Sequence, residues 1–168
     1  MKGVANFVRH PWEAVYSKNS RILILGTIPS PRSREFGFYY GHPRNVFWST
    51  VAEVLGRDEP ARDIRQMKKF LLENKIALWD VLHSCEIKGA SDADISNVVP
   101  NDFSNILQTA DIQKIFTTGK TATDLFNKYC AKTTGMEAEY LPSTSPANCG
   151  MHGKDAFWAQ WKKIKNYL

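Results

Sequence analysis

Residues 21–26, with the sequence RILILG, are the stretch from which the fold of this chain can be inferred. A short apolar run that ends at a glycine is typical of a β-strand buried on both faces, as in parallel sheets. Three further short apolar runs occur at residues 76–82 (IALWDVL), 113–118 (QKIFTT) and 138–142 (AEYLP). Each is bounded by residue types that end strands, so we predict four short buried strands.

Amphipathic stretches lie between and after these runs. Residues 46–56 (VFWSTVAEVLG) place apolar side chains on one helical stripe, and Gly56 would end that helix. Similar stripes occur at residues 60–75, 121–132 and 154–168, the first with a proline suited to a first helical turn. Strands that alternate with helices predict an α/β fold, with a mainly parallel sheet covered on both faces, in one domain spanning residues 1–168.

Composition limits the classes of function. The chain has 168 residues, 43% of them hydrophobic, and a net charge of +5, which suits a globular protein with a polyanionic partner. No apolar run is long enough to cross a membrane and no signal segment is evident, so a cytoplasmic protein is expected. The three cysteines and four histidines lack metal-binding spacings, so neither a metal nor another cofactor is expected.

Polar segments follow the predicted strands at residues 26–33 (GTIPSPRS), 80–84 (DVLHS) and 142–150 (PSTSPANCG). Ligands of open α/β folds bind beyond the carboxyl ends of the strands, so these segments are candidate binding loops. Gly26 would allow the backbone to approach a ligand closely. The GxxxxGK[ST], GxGxxG and GxSxG motifs are absent, which argues against nucleotide hydrolysis, dinucleotide binding and a serine nucleophile.

Residues 36–48 (FGFYYGHPRNVFW) combine aromatic, imidazole and amide groups. Phe47 and Trp48 fall on the apolar stripe of the following helix and are expected in the core. Tyr39 and Tyr40 could stack on a planar ligand or pack in the core.

Two polar residues of the same segment also have two readings each. His42 could shape the turn or hold a phosphate or a water. Asn45 could cap the helix, or its amide could grip a water or a base edge.

Two other loops carry polar groups that are costly to bury. Asp80 ends an apolar strand, where a carboxylate must be paired or exposed at a site, and we predict a site role. Ser143, Thr144, Ser145 and Asn148 can donate hydrogen bonds without carrying charge, which suits contact with a phosphate backbone. The alternative for that loop is a rigid polar turn.

Four segments together resemble the uracil-DNA glycosylase superfamily, most closely its hypoxanthine-DNA (deoxyinosine) glycosylase branch. They are LILGTIPSPRS (23–33), FYYGHPRNVFW (38–48), IALWDVLHSCE (76–86) and LPSTSPAN (141–148). The resemblance implies a three-layer α/β/α sandwich around a short, mainly parallel, four-stranded sheet. It also implies flipping of a deaminated base out of DNA and monofunctional cleavage of its N-glycosidic bond, without a metal, by a protein expected to be monomeric.

The resemblance also implies roles for individual residues. Asn45 would be catalytic, and Asp80 would recognise the flipped base. Tyr39 and Tyr40 would form the wall of the pocket. The other positions implied in substrate binding are Gly26, Thr27, Ile28, His42, Ser143, Ser145 and Asn148. Ser143 and Ser145 would press on the DNA, with Ala147 and Asn148 in an intercalating loop.

Thr27, Ile28 and Ser143 depart from the family pattern. Several relatives carry Asp or Asn where Thr27 and Ile28 stand, and other branches carry His where Ser143 stands. Both differences fit a preference for deaminated purines, with hypoxanthine preferred. The alternatives are a uracil or broad-range mismatch glycosylase of the same fold, and a non-catalytic nucleic-acid-binding module. No lysine lies in the three loops, although Lys88 and Lys120 are close in sequence, so no strand-nicking lyase activity is expected.

Overall fold

A computed structural model describes residues 4–88 and 94–168 of the chain. Its strands are β1 (Asn6–Arg9), β2 (Ile22–Gly26), β3 (Ile76–Asp80), β4 (Leu82–Ile87), β5 (Ile95–Pro100), β6 (Lys114–Thr118) and β7 (Ala138–Leu141). Its α-helices are α1 (Pro31–Phe36), α2 (Phe47–Leu55), α3 (Ile64–Glu73), α4 (Ser104–Thr109), α5 (Lys120–Tyr129), α6 (Ala131–Thr134) and α7 (Asp155–Trp161). Two 3₁₀ helices, Pro146–Met151 and Lys162–Tyr167, complete these elements.

The central sheet has four parallel strands in the order β3-β2-β6-β7. The chain moves from β2 outward to β3 in one direction, and from β2 to β6 and β7 in the other. Strand order therefore reverses between β2 and β6, and in open parallel sheets the crevice at such a point is where ligands bind. The sheet confirms the predicted fold class and places the candidate site at the carboxyl ends of β2 and β6.

Each face of this sheet has its own apolar core. Ile22, Ile24 and Leu78 face one cluster, into which helices α2, α3 and α7 send fully buried side chains such as Phe47 and Trp161. Leu23 and Leu25 face the other cluster, which is completed by α4 and α5. Because alternate residues of a strand point to opposite faces, a continuous apolar run such as ILIL can serve both cores.

An antiparallel three-stranded sheet, in the order β1-β4-β5, was not predicted. Residues 76–82 were predicted as one strand and residues 80–84 as a loop, and both predictions are wrong in detail. Strand β3 stops at Asp80, and the N–H groups of Val81 and Leu82 donate to the carbonyls of Gly26 and Thr27. These two bonds continue the contact with the end of β2, and from Leu82 onward the chain forms β4, which pairs with β1 and β5 in the second sheet.

The predicted helices exist with altered bounds. Helix α3 begins at Ile64 because the Asp63 carboxylate accepts from the Gln66 N–H as an N-cap, so Pro60 lies outside it. The stretch 121–132 divides at Cys130 into α5 and α6, and the C-terminal stretch ends as a 3₁₀ helix. Gly56 ends α2 in the left-handed conformation, as predicted. No helix in the described residues is long and apolar enough to cross a membrane.

Candidate active site

A cleft of about 740 Å³ opens at the carboxyl ends of the parallel strands. Every site residue predicted from the sequence lines it: Gly26, Thr27, Ile28, Tyr39, Tyr40, His42, Asn45, Asp80, Ser143, Ser145 and Asn148. The volume is in the range of ordinary small-molecule sites. Residues from four separate parts of the chain are thus brought together by the strand order.

Gly26 and Asp80 form the floor of the cleft. They are register partners at the ends of the neighbouring strands β2 and β3. A Cβ on Gly26 would lie 2.6 Å from Asp80 Oδ1 and 3.1 Å from the Tyr40 hydroxyl oxygen. A glycine is therefore required for these two polar atoms to approach the strand end so closely.

The Asp80 carboxylate is both buried and paired. Oδ2 of Asp80 lies 2.7 Å from Nε2 of His10. The backbone carbonyl of Asp80 accepts a hydrogen bond from the side-chain amide of Asn101 at 2.9 Å. Within the described residues, no side chain hydrogen-bonds to Oδ1. Sequence reasoning missed His10, which follows strand β1 and lies seventy positions away from Asp80.

Tyr39 belongs to the core more than to an open pocket wall. Its side chain is 2% exposed, and its ring contacts Trp12 and Phe38 edge to face. Its hydroxyl donates to the Glu13 carbonyl at 3.0 Å, and burial, with Asp80 nearby, raises the pKa of Tyr39 far above its usual range. The ring therefore offers no open face on which a base could stack in this conformation.

Tyr40 is half-buried and has one ring face available at most. The other face stacks on Phe47, with ring centroids 4.0 Å apart. The Tyr40 hydroxyl lies 3.1 Å from Oγ1 of Thr118, and burial together with Asp80 raises the pKa of Tyr40 far above its usual range. Tyr40 also has a φ of 52°, a left-handed backbone conformation that is unusual for an aromatic residue and recurs at functional sites.

Asn45 lines the cleft two residues before helix α2, where its side chain bonds the first helical N–H although Val46 occupies the N-cap position. Its Oδ1 accepts from the Phe47 N–H at 2.9 Å. A carbonyl oxygen has two lone pairs, so Oδ1 can accept a second hydrogen bond from a water or a ligand. His42 shapes the preceding turn, since its Nδ1 accepts from the Arg44 N–H at 3.0 Å. The structural alternatives considered for these two residues are therefore visible, whereas their contacts with a ligand or a water stay predictions.

The loop 143–148 is held from within by its polar side chains. Ser143 Oγ accepts from the Ser145 N–H, and Ser145 Oγ accepts from the Ala147 N–H at the start of a 3₁₀ helix. The Asn148 amide and the His152 ring both donate to the Ser143 carbonyl, at 2.9 and 3.1 Å. Because both serine oxygens act as acceptors here, their hydroxyl hydrogens can still donate toward a ligand.

Thr144 stands out in the same loop. It is 1% exposed, and its hydroxyl has no hydrogen-bond partner among the residues that the structure describes. Its carbonyl accepts from the Val46 N–H at 3.1 Å, which ties this loop to the residue beside Asn45. A buried hydroxyl without a partner is costly, so a water or a substrate atom is the expected partner.

A fourth loop reaches the cleft and was missed. Thr118, Gly119, Lys120 and Thr121, at the end of β6 and the start of α5, all line it. The rule that pointed to the other loops, a polar segment after a parallel strand, applies equally to this one. Lys120 is exposed to solvent.

Comparisons with known proteins agree with this geometry. The model of the Uracil DNA glycosylase superfamily matches residues 13–165. Hypoxanthine DNA glycosylase from Methanosarcina acetivorans is 32% identical over 142 residues, which cover 84% of this chain and 89% of that protein. Hypoxanthine DNA glycosylase from Methanosarcina barkeri is 30% identical over 148 residues, with 87% and 92% covered.

A solved structure extends the comparison to the fold. The solution NMR structure of a candidate uracil DNA glycosylase from Methanosarcina acetivorans aligns with a TM-score of 0.77 and 30% identity. The alignment covers 95% of this chain and 96% of that one. These matches confirm the family predicted from the four sequence segments. The chain belongs to the uracil DNA glycosylase superfamily.

Proposed function

We propose that this protein is a monofunctional DNA glycosylase that hydrolyses the N-glycosidic bond of deaminated bases, hypoxanthine in preference, and leaves an abasic site. One observation supports the substrate preference: the Asp80 carboxylate lies at the floor of the cleft, with its Oδ1 beside Gly26. The names of the relatives from the two Methanosarcina species support the same substrate.

The base would be recognised by the polarity of one hydrogen bond. Hypoxanthine carries a hydrogen on N1, which can donate to Asp80 Oδ1. Adenine has a bare lone pair at N1, so it would face the carboxylate with two acceptors opposed. A buried acceptor left without a donor costs the full desolvation of that group, and such sites discriminate by orders of magnitude.

Hydrolysis would rest on placing water and on stabilising charge. The bond between C1′ and the base nitrogen breaks, its electron pair leaves with the purine, and the sugar becomes oxocarbenium-like. Asn45 Oδ1, already accepting from Phe47, would accept a hydrogen from the attacking water with its remaining lone pair. The water oxygen then bonds to C1′ and its proton leaves to solvent or to the departing base. The Asn45 amide would orient the water without acting as a general base.

DNA would enter from the open side of the cleft, between the loops. We assign contact with the phosphate backbone to the hydroxyls of Ser143 and Ser145, and the intercalating position to Ala147 and Asn148. Thr27, Ile28 and Tyr40 would enclose the flipped base, and His42 would shape the turn before Asn45. The proposal extends to a monomer of one domain, residues 1–168, that acts in the cytoplasm or at the nucleoid of a prokaryotic cell.

A uracil or broad-range activity is the second candidate, and one observation favours it. Uracil carries a hydrogen on N3, which the Asp80 carboxylate could also accept. The NMR structure that aligns with this chain is described as that of a candidate uracil DNA glycosylase. Duplexes with a single deoxyinosine or deoxyuridine, incubated with the protein and then cleaved with alkali, decide between the two. Faster strand cleavage at deoxyinosine supports the proposal.

Three substitutions of Asn45 separate its capping role from its catalytic role. Asn45→Ser keeps a short oxygen acceptor for the Phe47 N–H but cannot reach a water in the cleft. Asn45→Asp keeps an oxygen acceptor for the Phe47 N–H and one for the water. Asn45→Ala removes both acceptors. We expect the Ser and Ala variants to lose at least about 100-fold in single-turnover excision, and the Asp variant to retain much more of it.

Binding to the same DNA is measured in parallel by fluorescence anisotropy. We expect all three variants to bind nearly as well as the unmodified protein. If Asn45→Ser and Asn45→Ala excise at the normal rate, Asn45 serves as a cap only and its assignment is wrong. If the unmodified protein binds DNA but releases no base from any duplex, it is a non-catalytic binding module.

A further inference from the structure

The contacts of the His10 ring show where its protons lie. Nδ1 is 2.7 Å from the Trp12 carbonyl oxygen, and Nε2 is 2.7 Å from Asp80 Oδ2. A carbonyl oxygen can only accept, so Nδ1 must carry a hydrogen. The Trp12 N–H also approaches Nδ1, but at 3.5 Å this contact is too long to decide the tautomer.

One further proton then lies between Nε2 and Oδ2. It belongs either to an imidazolium that faces a carboxylate, or to a carboxylic acid that donates to a neutral imidazole. In both cases the proton is on the His10 side of the Asp80 carboxyl group. Oδ1, the oxygen next to Gly26, is consequently without a hydrogen in both states and can only accept.

His10 also separates two cavities. Asp80 lines the main cleft, whereas His10 lines a second cavity of about 410 Å³ on the other side of the pair. The side chains of His10 and Asp80 are only 2% and 6% exposed. The pair therefore forms part of the wall between the cavities, and His10 is too deeply placed to serve as a surface histidine.

We propose that His10 is a specificity-determining residue that fixes the hydrogen-bonding polarity of the base pocket. It acts through Asp80: by occupying Oδ2 with the shared proton, it keeps Oδ1 an acceptor and holds the carboxyl plane still. Without His10, a buried carboxyl group can take up a proton on Oδ1 and turn toward the cleft as a donor. A donor there would match the bare N1 of adenine, the normal base that must be refused. This inference rests on the proposed reading of the base by Asp80.

Other titratable groups face the pair and must be considered in any test that varies pH. They lie on the loop before α2, on the segment after β1, on β4 and after β5: Tyr39, Tyr40, Glu13, His83 and Asp102. Both tyrosines stay protonated at ordinary pH because burial raises the pKa of each. His83 is exposed and lines only the second cavity, which makes it a suitable control.

The test compares His10→Leu, His10→Gln and His83→Gln. Leucine removes the donor to Asp80, whereas glutamine can place an amide N–H near the position of Nε2. The readout is the ratio of hypoxanthine to adenine excision from otherwise identical duplexes, at pH 5.5 and 7.5. We expect His10→Leu to lower this ratio at least about tenfold, which corresponds to about one hydrogen bond. His10→Gln should restore most of the ratio, and His83→Gln should leave it unchanged.

A second measurement does not depend on activity or on a variant that folds. Long-range ¹H–¹⁵N NMR of the unmodified protein reports whether each ring nitrogen of His10 carries a hydrogen. A protonated Nδ1 supports the inference, and a bare Nδ1 overturns it.

The kinetic outcomes separate this inference from the proposed function. If the unmodified protein leaves hypoxanthine attached to DNA, the proposed function fails and the specificity role of His10 fails with it. If it releases hypoxanthine and His10→Leu keeps the normal ratio at both pH values, only the inference about His10 is overturned.

Discussion

Oδ1 of Asp80 lies 2.6 Å from the point that a Cβ on Gly26 would occupy. The two residues end neighbouring parallel strands in register, so the carboxylate reaches across the end of β2 instead of along its own strand. The Tyr40 hydroxyl approaches the same point to 3.1 Å. An acceptor and a hydroxyl thus converge on a backbone position that has no side chain, which makes Gly26 a requirement of the cleft floor.

The first prediction is that Gly26→Ala displaces Asp80 or Tyr40 and destabilises the protein. Overpacking of a buried site typically costs about 1–3 kcal/mol in the free energy of unfolding, and denaturant titration measures it. Base excision should fall with it, since Oδ1 cannot keep its position. The matched control is Gly150→Ala, because a Cβ at Gly150 meets nothing within 4 Å. Equal effects of the two substitutions would show that the close approach is unimportant.

The second prediction concerns the Thr144 hydroxyl, which is buried without a partner in the described structure. Thr144→Val keeps the shape and removes the hydroxyl. We expect the free energy of unfolding to be unchanged or slightly increased, because no protein hydrogen bond is lost. If the hydroxyl contacts the water or the substrate, single-turnover excision falls at least about tenfold, while Thr144→Ser stays active. Full activity of the valine variant would exclude a contact of this kind.

The third prediction is that the protein does not nick DNA through a covalent intermediate. Lys120 lines the cleft but is exposed, whereas nucleophilic lysines are activated by apolar burial or by a neighbouring cation. Borohydride added during turnover should therefore trap no protein–DNA adduct. An adduct that disappears in Lys120→Met would identify Lys120 as a nucleophile and contradict the monofunctional assignment.

The fourth prediction uses thiol reactivity to report DNA binding at the loop. Burial raises the pKa of Cys130 to about 11, so at pH 8 only about one part in a thousand of this thiol is the reactive thiolate. Cys149 is exposed and directly follows Asn148 in the 3₁₀ helix beside the cleft. Iodoacetamide at pH 8, followed by mass spectrometry of peptides, should label Cys149 much faster than Cys130.

Bound DNA should slow the labelling of Cys149 if the loop 143–148 contacts the duplex. A protein exposed to an unrelated polyanion of similar charge serves as the control. Labelling of Cys149 that is indifferent to DNA would place the bound duplex elsewhere and would count against the roles of Ser143 and Ser145.

Several elements were predictable because their signals are local. The apolar pattern of residues 21–26 predicts a strand that is buried on both faces. Phe47 and Trp48 lie on the apolar stripe of α2, where they are 0% and 2% exposed. Asp80 could be singled out because a carboxylate at the end of such a strand needs a partner or a site. The prediction failed at residues 80–84, where an apolar run continues while the chain leaves one sheet for another. The hydrophobicity of a segment does not by itself indicate which sheet the strand joins.

The sequence by itself determined the alternation of strands and helices, the four segments that mark the family, and the residue types available at the strand ends. Only the tertiary structure decided which residues lie together: His10 beside Asp80, Thr144 hydrogen-bonded to Val46, and Tyr39 buried among core aromatics at the edge of the cleft. The reason is physical. Periodicity and turn chemistry act between neighbours in the chain, whereas hydrogen bonding and burial at the cleft depend on strand order and register, which bring together residues far apart in sequence.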